Sequence, residues 1–249
     1  MKNKDLNISI IFTIIGLIAG IFTGFFQAST LTEELYQQII SQLGSINMMI
    51  IITTIQVGIF TFISALLGLK IARKVNLKLN FKFNKNSLLL TIIIGLATSF
   101  ILSASDKFIF AQFLPKAEAY KFSFLYFISS ILYGGVVEEI MLRLLVMSLI
   151  ALLLWKFFVK SKDKSLIPDW VYITAIFISA ILFAMAHIPA TEQLLGLSTP
   201  ILIRCFFLNG IGGVGFGYLY WKKGLSYAIY AHMLTHIFNQ IIFMPILFN

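Results

Sequence analysis

The sequence predicts an all-α polytopic membrane protein, a helical bundle with about seven or eight transmembrane helices. Three observations predict this class. First, 59% of the 249 residues are hydrophobic and only 12% are charged, an apolar share above that of soluble domains. Second, the apolar residues form runs long enough to cross a bilayer, with no polar stretch long enough to fold separately in water. Third, the basic residues concentrate in alternate loops.

Seven apolar runs predict the spans, at about 7–26, 47–69, 87–105, 122–155, 170–190, 199–221 and 225–247. The first run is longer than the apolar region of a signal peptide, so we interpret it as a retained span. The fourth run exceeds the roughly 20 residues that one crossing needs. Gly134-Gly135 is a natural break in it. A short element at 122–133 and a crossing helix at 136–156 would give eight hydrophobic elements.

The basic residues divide unevenly between the two sides of this bundle. Only Lys107, Lys116 and Lys121 lie in loops on one side. The other side carries 14, namely Lys2, Lys4, Lys70, Arg73, Lys74, Lys78, Lys82, Lys85, Lys156, Lys160, Lys162, Lys164, Lys222 and Lys223. This pattern predicts a cytoplasmic N-terminus and an external C-terminus. The net charge of +9 is thus explained by topology and by attraction to the lipid bilayer, and no nucleic-acid partner is expected.

Two local patterns have more than one interpretation. The loop from Asn76 to Lys85 alternates apolar and polar residues, which fits either a basic cytoplasmic connector or an interfacial segment on anionic lipid. The segment NGIGGVGFG, 209–217, contains a formal G-x-G-x-x-G, but no strand or soluble βαβ unit accompanies it. Gly213 and Gly217 instead predict close packing between transmembrane helices.

Few ionisable side chains fall at membrane depth, and they include all three histidines: Glu138, Glu139, Arg143, His187, Arg204, His232 and His236. A charged group at the bilayer centre costs about 2.5–3.5 kcal/mol on insertion scales, so such residues indicate a functional site inside the bundle.

The segment YGGVVEEIMLR places two carboxylates beside an arginine. On a helix, Glu139 and Arg143 are four residues apart and share a face, whereas Glu138 is turned by about 100°. Glu139 is therefore expected to pair with Arg143 while Glu138 faces the interior as a candidate general base. The alternative is a buried ion pair that only orders the bundle.

The histidines lie on two other spans. His187 ends one span beside Pro189, a position that also suits a structural role, and His232 and His236 share one face of the last span. At about 1.5 Å per residue, Glu138 and His187 both lie roughly 27 Å from the basic side. His232 lies only roughly 14 Å from Lys223 by the same measure. One shared site therefore requires a deep turn at 221–224, or a tilted or broken helix.

These residues resemble the motifs of the CPBP family, the CAAX-protease and bacteriocin-processing (Abi) intramembrane proteases. EEIMLR resembles the motif E-E-x-x-x-R, and FAMAH fits F-x-x-x-H through Phe183 and His187. GYLYWKKGLSYAIYAHMLTH is similar to the third region, which ends in H-x-x-x-N/D. The resemblance covers about 120–247. It implies a single membrane domain, 1–249, with variable N-terminal helices at 1–120 and a catalytic core at 121–249.

The resemblance implies a role for each residue. Glu138, assisted by His187, would activate water, with Glu139, Arg143 and Phe183 in support. His232 and His236 would donate hydrogen bonds to the tetrahedral intermediate. The chain departs from the motif at His236, where the family has Asn or Asp. This departure leaves open whether activity is kept. It also permits an alternative zinc shell of Glu138, His187, His232 and His236; the family favours a metal-free glutamate mechanism, so no cofactor is the preferred expectation.

We therefore expect an intramembrane endopeptidase, a hydrolase acting on a peptide or small membrane-associated protein. Bacteriocin maturation, self-immunity and peptide signalling are the expected roles, in a bacterial plasma membrane. Two alternatives remain: a catalytically silent scaffold or immunity protein of the same fold, and a small proton-coupled transporter using Glu138 and His187. The calculated depths place Glu138 and His187 toward the outer face, whereas prenyl-processing relatives work on the cytoplasmic side.

Overall fold

The computed structural model of the protein describes residues 2–82, 84–115 and 120–248, and within these ranges it contains helices and loops but no strand. Phe83 of the predicted connector and Lys116 of the predicted outer loop lie outside the described residues. Seven helices in the described ranges are long and apolar enough to cross a membrane. The predicted all-α bundle of seven spans is confirmed.

The helices follow one another with short connections. In chain order they are α1 (Lys2–Ser29), α2 (Glu33–Leu43), α3 (Ile46–Lys74), α4 (Lys85–Phe108), α5 (Phe124–Phe158), α6 (Asp169–Ala186), α7 (Ile188–Leu195), α8 (Thr199–Lys222) and α9 (Leu225–Phe248). Only His187 separates α6 from α7, and the two form one apolar span. The side chains of Thr32, Ser45, Asn84 and Ser123 accept backbone N–H bonds at the starts of α2, α3, α4 and α5, which fixes where these helices begin.

Helix α5 crosses without interruption, so the predicted break at Gly134-Gly135 and the eight-element alternative are wrong. From Ser130 to Met147 the helix has π geometry, with i→i+5 backbone bonds. The two glycines permit close approach of α9 instead of breaking the chain. A Cβ on Gly134 would lie 2.7 Å from Nε2 of His236, and one on Gly135 would overlap the side chain of Met233.

The middle of α5 forms the centre of the bundle. It packs against α1, α3, α6, α8 and α9. Val137, Ile140, Leu144 and Met147 are fully buried on this helix. Because α5 is enclosed by other helices, its charged residues face protein and internal cavities, not hydrocarbon.

Glycines set the closest helix contacts. A Cβ on Gly213 of α8 would lie 2.8 Å from Cβ of Ala180 on α6, so the predicted packing role of this glycine segment is confirmed. Helix α1 has a second series, which we did not single out from the sequence. Gly16, Gly20 and Gly24 lie against α3, and a Cβ on Gly20 would come within 2.7 Å of Cα of Thr54.

The connector between α3 and α4 covers the turn between α8 and α9. We call residues 75–82 the cap segment. The backbone N–H groups of Leu225 and Ser226 donate to the carbonyls of Lys78 and Leu79 at 2.9 and 3.0 Å, and the Asn80 amide donates to the carbonyl of Lys223 at 2.6 Å. The stretch is thus a connector that binds protein, and the turn lies beneath it. Counting residues from Lys223 to estimate the depth of His232 therefore starts at a turn that other residues cover.

Two further ion pairs lie at opposite ends of the bundle. Asp5 of α1 pairs with Arg73 of α3 at the basic end. Arg204 of α8 binds both carboxylate oxygens of Asp106 on α4 at 2.6 Å. Arg204, which the sequence placed among the membrane-depth groups, is therefore neutralised by a partner of its own.

The α6–α8 contact predicts that alanine substitutions at two glycines of α8 change the stability of the protein by different amounts. Gly213→Ala should destabilise the protein by about 1–3 kcal/mol because the added methyl group overlaps Ala180. Gly210→Ala is the matched control, since no atom lies within 4 Å of a Cβ there. Thermal melting of both purified variants in detergent measures this. Equal melting temperatures would contradict the packing role.

Candidate active site

The two adjacent glutamates of α5 have different surroundings. Glu139 is fully buried, and its Oε1 lies 3.3 Å from Nη1 of Arg143, which is also fully buried. The Glu138 side chain remains 14% exposed and lines a cavity. The predicted division, in which Glu139 pairs with Arg143 and Glu138 faces the interior, is confirmed.

Aromatic rings complete the surroundings of Arg143. Its guanidinium carbon lies 4.6 Å from the ring centre of Phe183 on α6 and 5.7 Å from that of Phe216 on α8. A cation against two aromatic faces is stabilised where water is absent. Phe183, the first residue of the second motif, thus contacts the arginine of the first motif.

His187 lies between α6 and α7, where its ring faces Glu138. Nδ1 of His187 is 2.9 Å from the carbonyl oxygen of Phe183, so this nitrogen carries the hydrogen in the bonded arrangement. Nε2 is then an acceptor, 3.8 Å from Oε1 of Glu138. This separation is too long for a direct hydrogen bond and leaves the two acceptors facing the same space.

The two histidines of α9 stack against each other, and His232 also stacks on Phe216 of α8. Nδ1 of His232 lies 3.0 Å from Oε1 of Glu139, which connects α9 to the buried ion pair of α5. The His232 ring stacks on Phe216 with centroids 4.4 Å apart, and His236 stacks on His232 at 5.0 Å. His236 occupies the room that Gly134 leaves on α5.

One cavity brings these groups together. It has a volume of about 320 Å³, and its lining includes Glu138, His187, His232 and His236. Gln27 and Thr30 near the end of α1, Tyr126 at the start of α5 and Gln193 of α7 also line it. These helix ends lie opposite the ends that carry the basic residues, so the cavity opens toward the side with few lysines.

A buried layer lies between the site and the basic end of the bundle. Leu144, Met147 and Tyr220 are fully buried there, and the Tyr220 hydroxyl shares a hydrogen bond of 2.8 Å with Ser148. The Tyr172 hydroxyl donates to the carbonyl of Val75 in the cap segment at 2.9 Å. This layer separates Glu138 from the basic loops.

The residues proposed for the alternative zinc shell do not form one. Across the described residues, no group of three or more His, Cys, Asp or Glu side chains converges closely enough to hold a metal ion. As they are placed here, Glu138, His187, His232 and His236 form no such group, and the zinc alternative stays a prediction for experiment.

Several lining residues were missed by reasoning from the sequence. Gly134, interpreted there as a helix break, makes room for His236. Asn209 lines the cavity, although its segment was considered only for packing. Thr53 and Gln56 of α3 lie in a part of the chain treated as variable and hydrophobic, and their polarity within an apolar span was the available signal.

Comparison with known proteins gives one match, to a family model. No curated protein and no solved structure matches the chain significantly. Residues 120–238 match the family described as Type II CAAX prenyl endopeptidase Rce1-like, a range that holds all the motif residues above. The match supports an integral membrane protease of the CAAX type. Over residues 120–238 the chain is thus similar to the Rce1-like endopeptidase family, and the resemblance to CPBP and CAAX proteases inferred from its three motifs is confirmed.

Proposed function

We propose that the chain is a glutamate-dependent intramembrane endopeptidase that hydrolyses a peptide bond by direct attack of water. The observation that carries this proposal is the Glu138–His187 pair. Two hydrogen-bond acceptors 3.8 Å apart face a cavity inside an otherwise apolar bundle. A water molecule that donates one hydrogen to each would have its lone pairs directed away from both, toward a substrate carbonyl carbon.

The reaction needs no covalent enzyme intermediate. As the water oxygen bonds to the carbonyl carbon, its proton passes to Glu138. When the tetrahedral intermediate breaks its C–N bond, Glu138 returns this proton to the leaving nitrogen, and a carboxylic acid and an amine result. The bond from His187 to the carbonyl of Phe183 holds the imidazole ring in the tautomer that directs Nε2 toward the water.

His232 and His236 would stabilise the negative oxygen of the intermediate. With Nδ1–H donating to Glu139, a neutral His232 has only an acceptor at Nε2. His232 can donate a hydrogen bond from Nε2 only when Glu139 and His232 together carry two acidic protons, one between Oε1 and Nδ1 and the other on Nε2. The neighbouring positive charge of Arg143 then adds to the stabilisation of an oxyanion. A neutral His236 ring supplies one N–H, as the family's amide would.

The uneven distribution of basic residues between the two ends of the bundle supports a site that opens to the exterior. With the basic loops cytoplasmic, as the positive-inside rule requires, the cavity opens to the exterior. The substrate would be a peptide or small protein at the outer face of a bacterial plasma membrane. Bacteriocin maturation, self-immunity and peptide signalling fit this placement, and cytoplasmic prenyl-CAAX processing does not.

Removing the proposed base tests the mechanism. Glu138→Gln should lower kcat at least about a hundredfold, because the amide cannot accept the proton of water. Glu33→Gln, on the exposed face of α2, is the matched control and should leave kcat unchanged. The measurement is hydrolysis of a quenched fluorescent peptide by the protein in liposomes, with thermal melting as the check of folding.

Two outcomes of this assay would contradict the proposal. Full activity of Glu138→Gln would exclude Glu138 as the base. Loss of wild-type cleavage in a strong chelator, restored by added zinc, would show a metal mechanism that the described geometry does not favour.

His236, which stands where the family's third motif has Asn or Asp, gives a second prediction. His236→Asn should keep most of the activity, since an amide also donates a hydrogen bond, whereas His236→Leu should lower kcat about a hundredfold. The same cleavage assay compares the two. Equal loss in both variants would indicate that His236 acts through its ring packing against His232 and Gly134.

The proposed orientation is tested by labelling. In a Cys205→Ala background, Thr30→Cys should react with a membrane-impermeant maleimide on intact spheroplasts, because Thr30 lies at the cavity mouth. Lys162→Cys, on the exposed basic loop, should react only after permeabilisation. The reverse pattern would place the cavity mouth in the cytoplasm.

A further inference from the structure

A second cavity meets the first at the candidate catalytic pair. It has a volume of about 420 Å³, shares Glu138 and His187 with the first cavity and extends between α1, α3 and α6. Its outer lining includes the exposed side chains of Phe60 and Ala186, which lie on spanning helices. The cavity therefore reaches the side of the bundle that faces lipid.

Three polar side chains line this lateral cavity, and one of them, Gln27, also lines the first cavity. We call Gln27, Thr53 and Gln56 the polar strip. Gln56 lies 14 residues before Lys70, roughly 21 Å from the basic end of α3, which places it within the hydrocarbon region. Gln27 and Gln56 are exposed and Thr53 is half-buried.

The polar strip has no hydrogen-bond partner among the described residues. Neighbouring threonines behave differently, since the hydroxyls of Thr54 and Thr61 donate to the carbonyls four residues earlier, at 2.8 and 2.7 Å. An amide or hydroxyl left unpaired in hydrocarbon is unfavourable by several kcal/mol on alkane-transfer scales. Thr53 and Gln56, both on the part of α3 at this depth, therefore indicate a polar molecule that binds there, and Gln27 continues the lining toward the first cavity.

We propose that the polar strip binds the main chain of an extended substrate segment entering sideways from the bilayer. The inference rests on the proposed endopeptidase function. A primary amide both donates and accepts, which matches the alternating C=O and N–H groups of a peptide. Because the strip leads to Glu138 and His187, a segment bound along it would present its peptide bonds to the activated water.

The chemistry of the strip excludes two other occupants. A prenyl chain has no hydrogen-bonding group and would leave Gln27, Thr53 and Gln56 unpaired. A helical segment has its backbone bonds satisfied internally and offers few free groups to the strip. The strip therefore selects unwound polypeptide. Because its residues lie before residue 120, the N-terminal helices would set substrate preference.

The test uses the full chain in liposomes with two quenched fluorescent peptides. One carries about 20 apolar residues and lies in the bilayer, and the other is short and water-soluble. Gln56→Leu combined with Thr53→Val should raise the KM for the membrane peptide about tenfold with kcat unchanged, as expected for lost uniform binding. The KM for the soluble peptide, which enters through the outer cavity, should not change. Gln38→Leu, exposed on α2 outside both cavities, is the matched control.

A second measurement does not depend on turnover. In the Glu138→Gln background, a photo-crosslinking benzoylphenylalanine in place of Phe60, which lines the same cavity, should capture the membrane peptide, and one at position 38 should not. An unchanged KM for the membrane peptide, absent crosslinking at position 60, or a lower kcat at unchanged KM would each overturn the proposal. A lower kcat at unchanged KM would show that the polar strip conducts water to Glu138 and His187.

The wild-type protein separates this inference from the proposed function. Cleavage of the soluble peptide alone would exclude lateral entry while leaving an endopeptidase. Cleavage of neither peptide would reject both.

Discussion

The buried guanidinium of Arg143 is the constraint on which the rest of the site depends. A cation removed from water must be neutralised and enclosed, and four helices contribute to this. Glu139 of α5 supplies the opposite charge, Phe183 of α6 and Phe216 of α8 supply aromatic faces, and His232 of α9 joins through Glu139. One charge therefore specifies how three motif segments, far apart in sequence, fit together.

This arrangement explains why the motif carries two acids. Glu139 is fully buried against Arg143 and His232 and lines neither cavity. Glu138 projects differently from the same helix, and within the described part of the chain only His187 lies at ion-pair distance from it. The acid of the ion pair and the proposed general base are adjacent in sequence yet lie in different environments, and the π geometry of α5 carries both without a break.

Much of the fold and the motif geometry could be predicted because the signals are local. Apolar runs set the spans, and the spacing of Glu139 and Arg143 sets their pairing. The depth of His232 could not be predicted from the sequence. Counting residues from Lys223 assumes that the turn between α8 and α9 lies at the membrane surface, whereas the cap segment covers this turn. The π conformation of α5 had no sequence signal that we recognised, and Gly134 was taken for a break because its partner, His236, is 102 positions away. The polar strip was missed because its helices carry no motif.

The cap segment also bears on how the site is assembled during synthesis. Asn80 and the Lys223 carbonyl that it binds are separated by 143 positions, so the cap emerges from the ribosome long before the turn that it holds. Helix α9, which brings both stacked histidines, is made after α5 and α6 and must dock onto segments already in place. The proposed hydrolytic centre would thus stay incomplete until α9 has been synthesised and inserted.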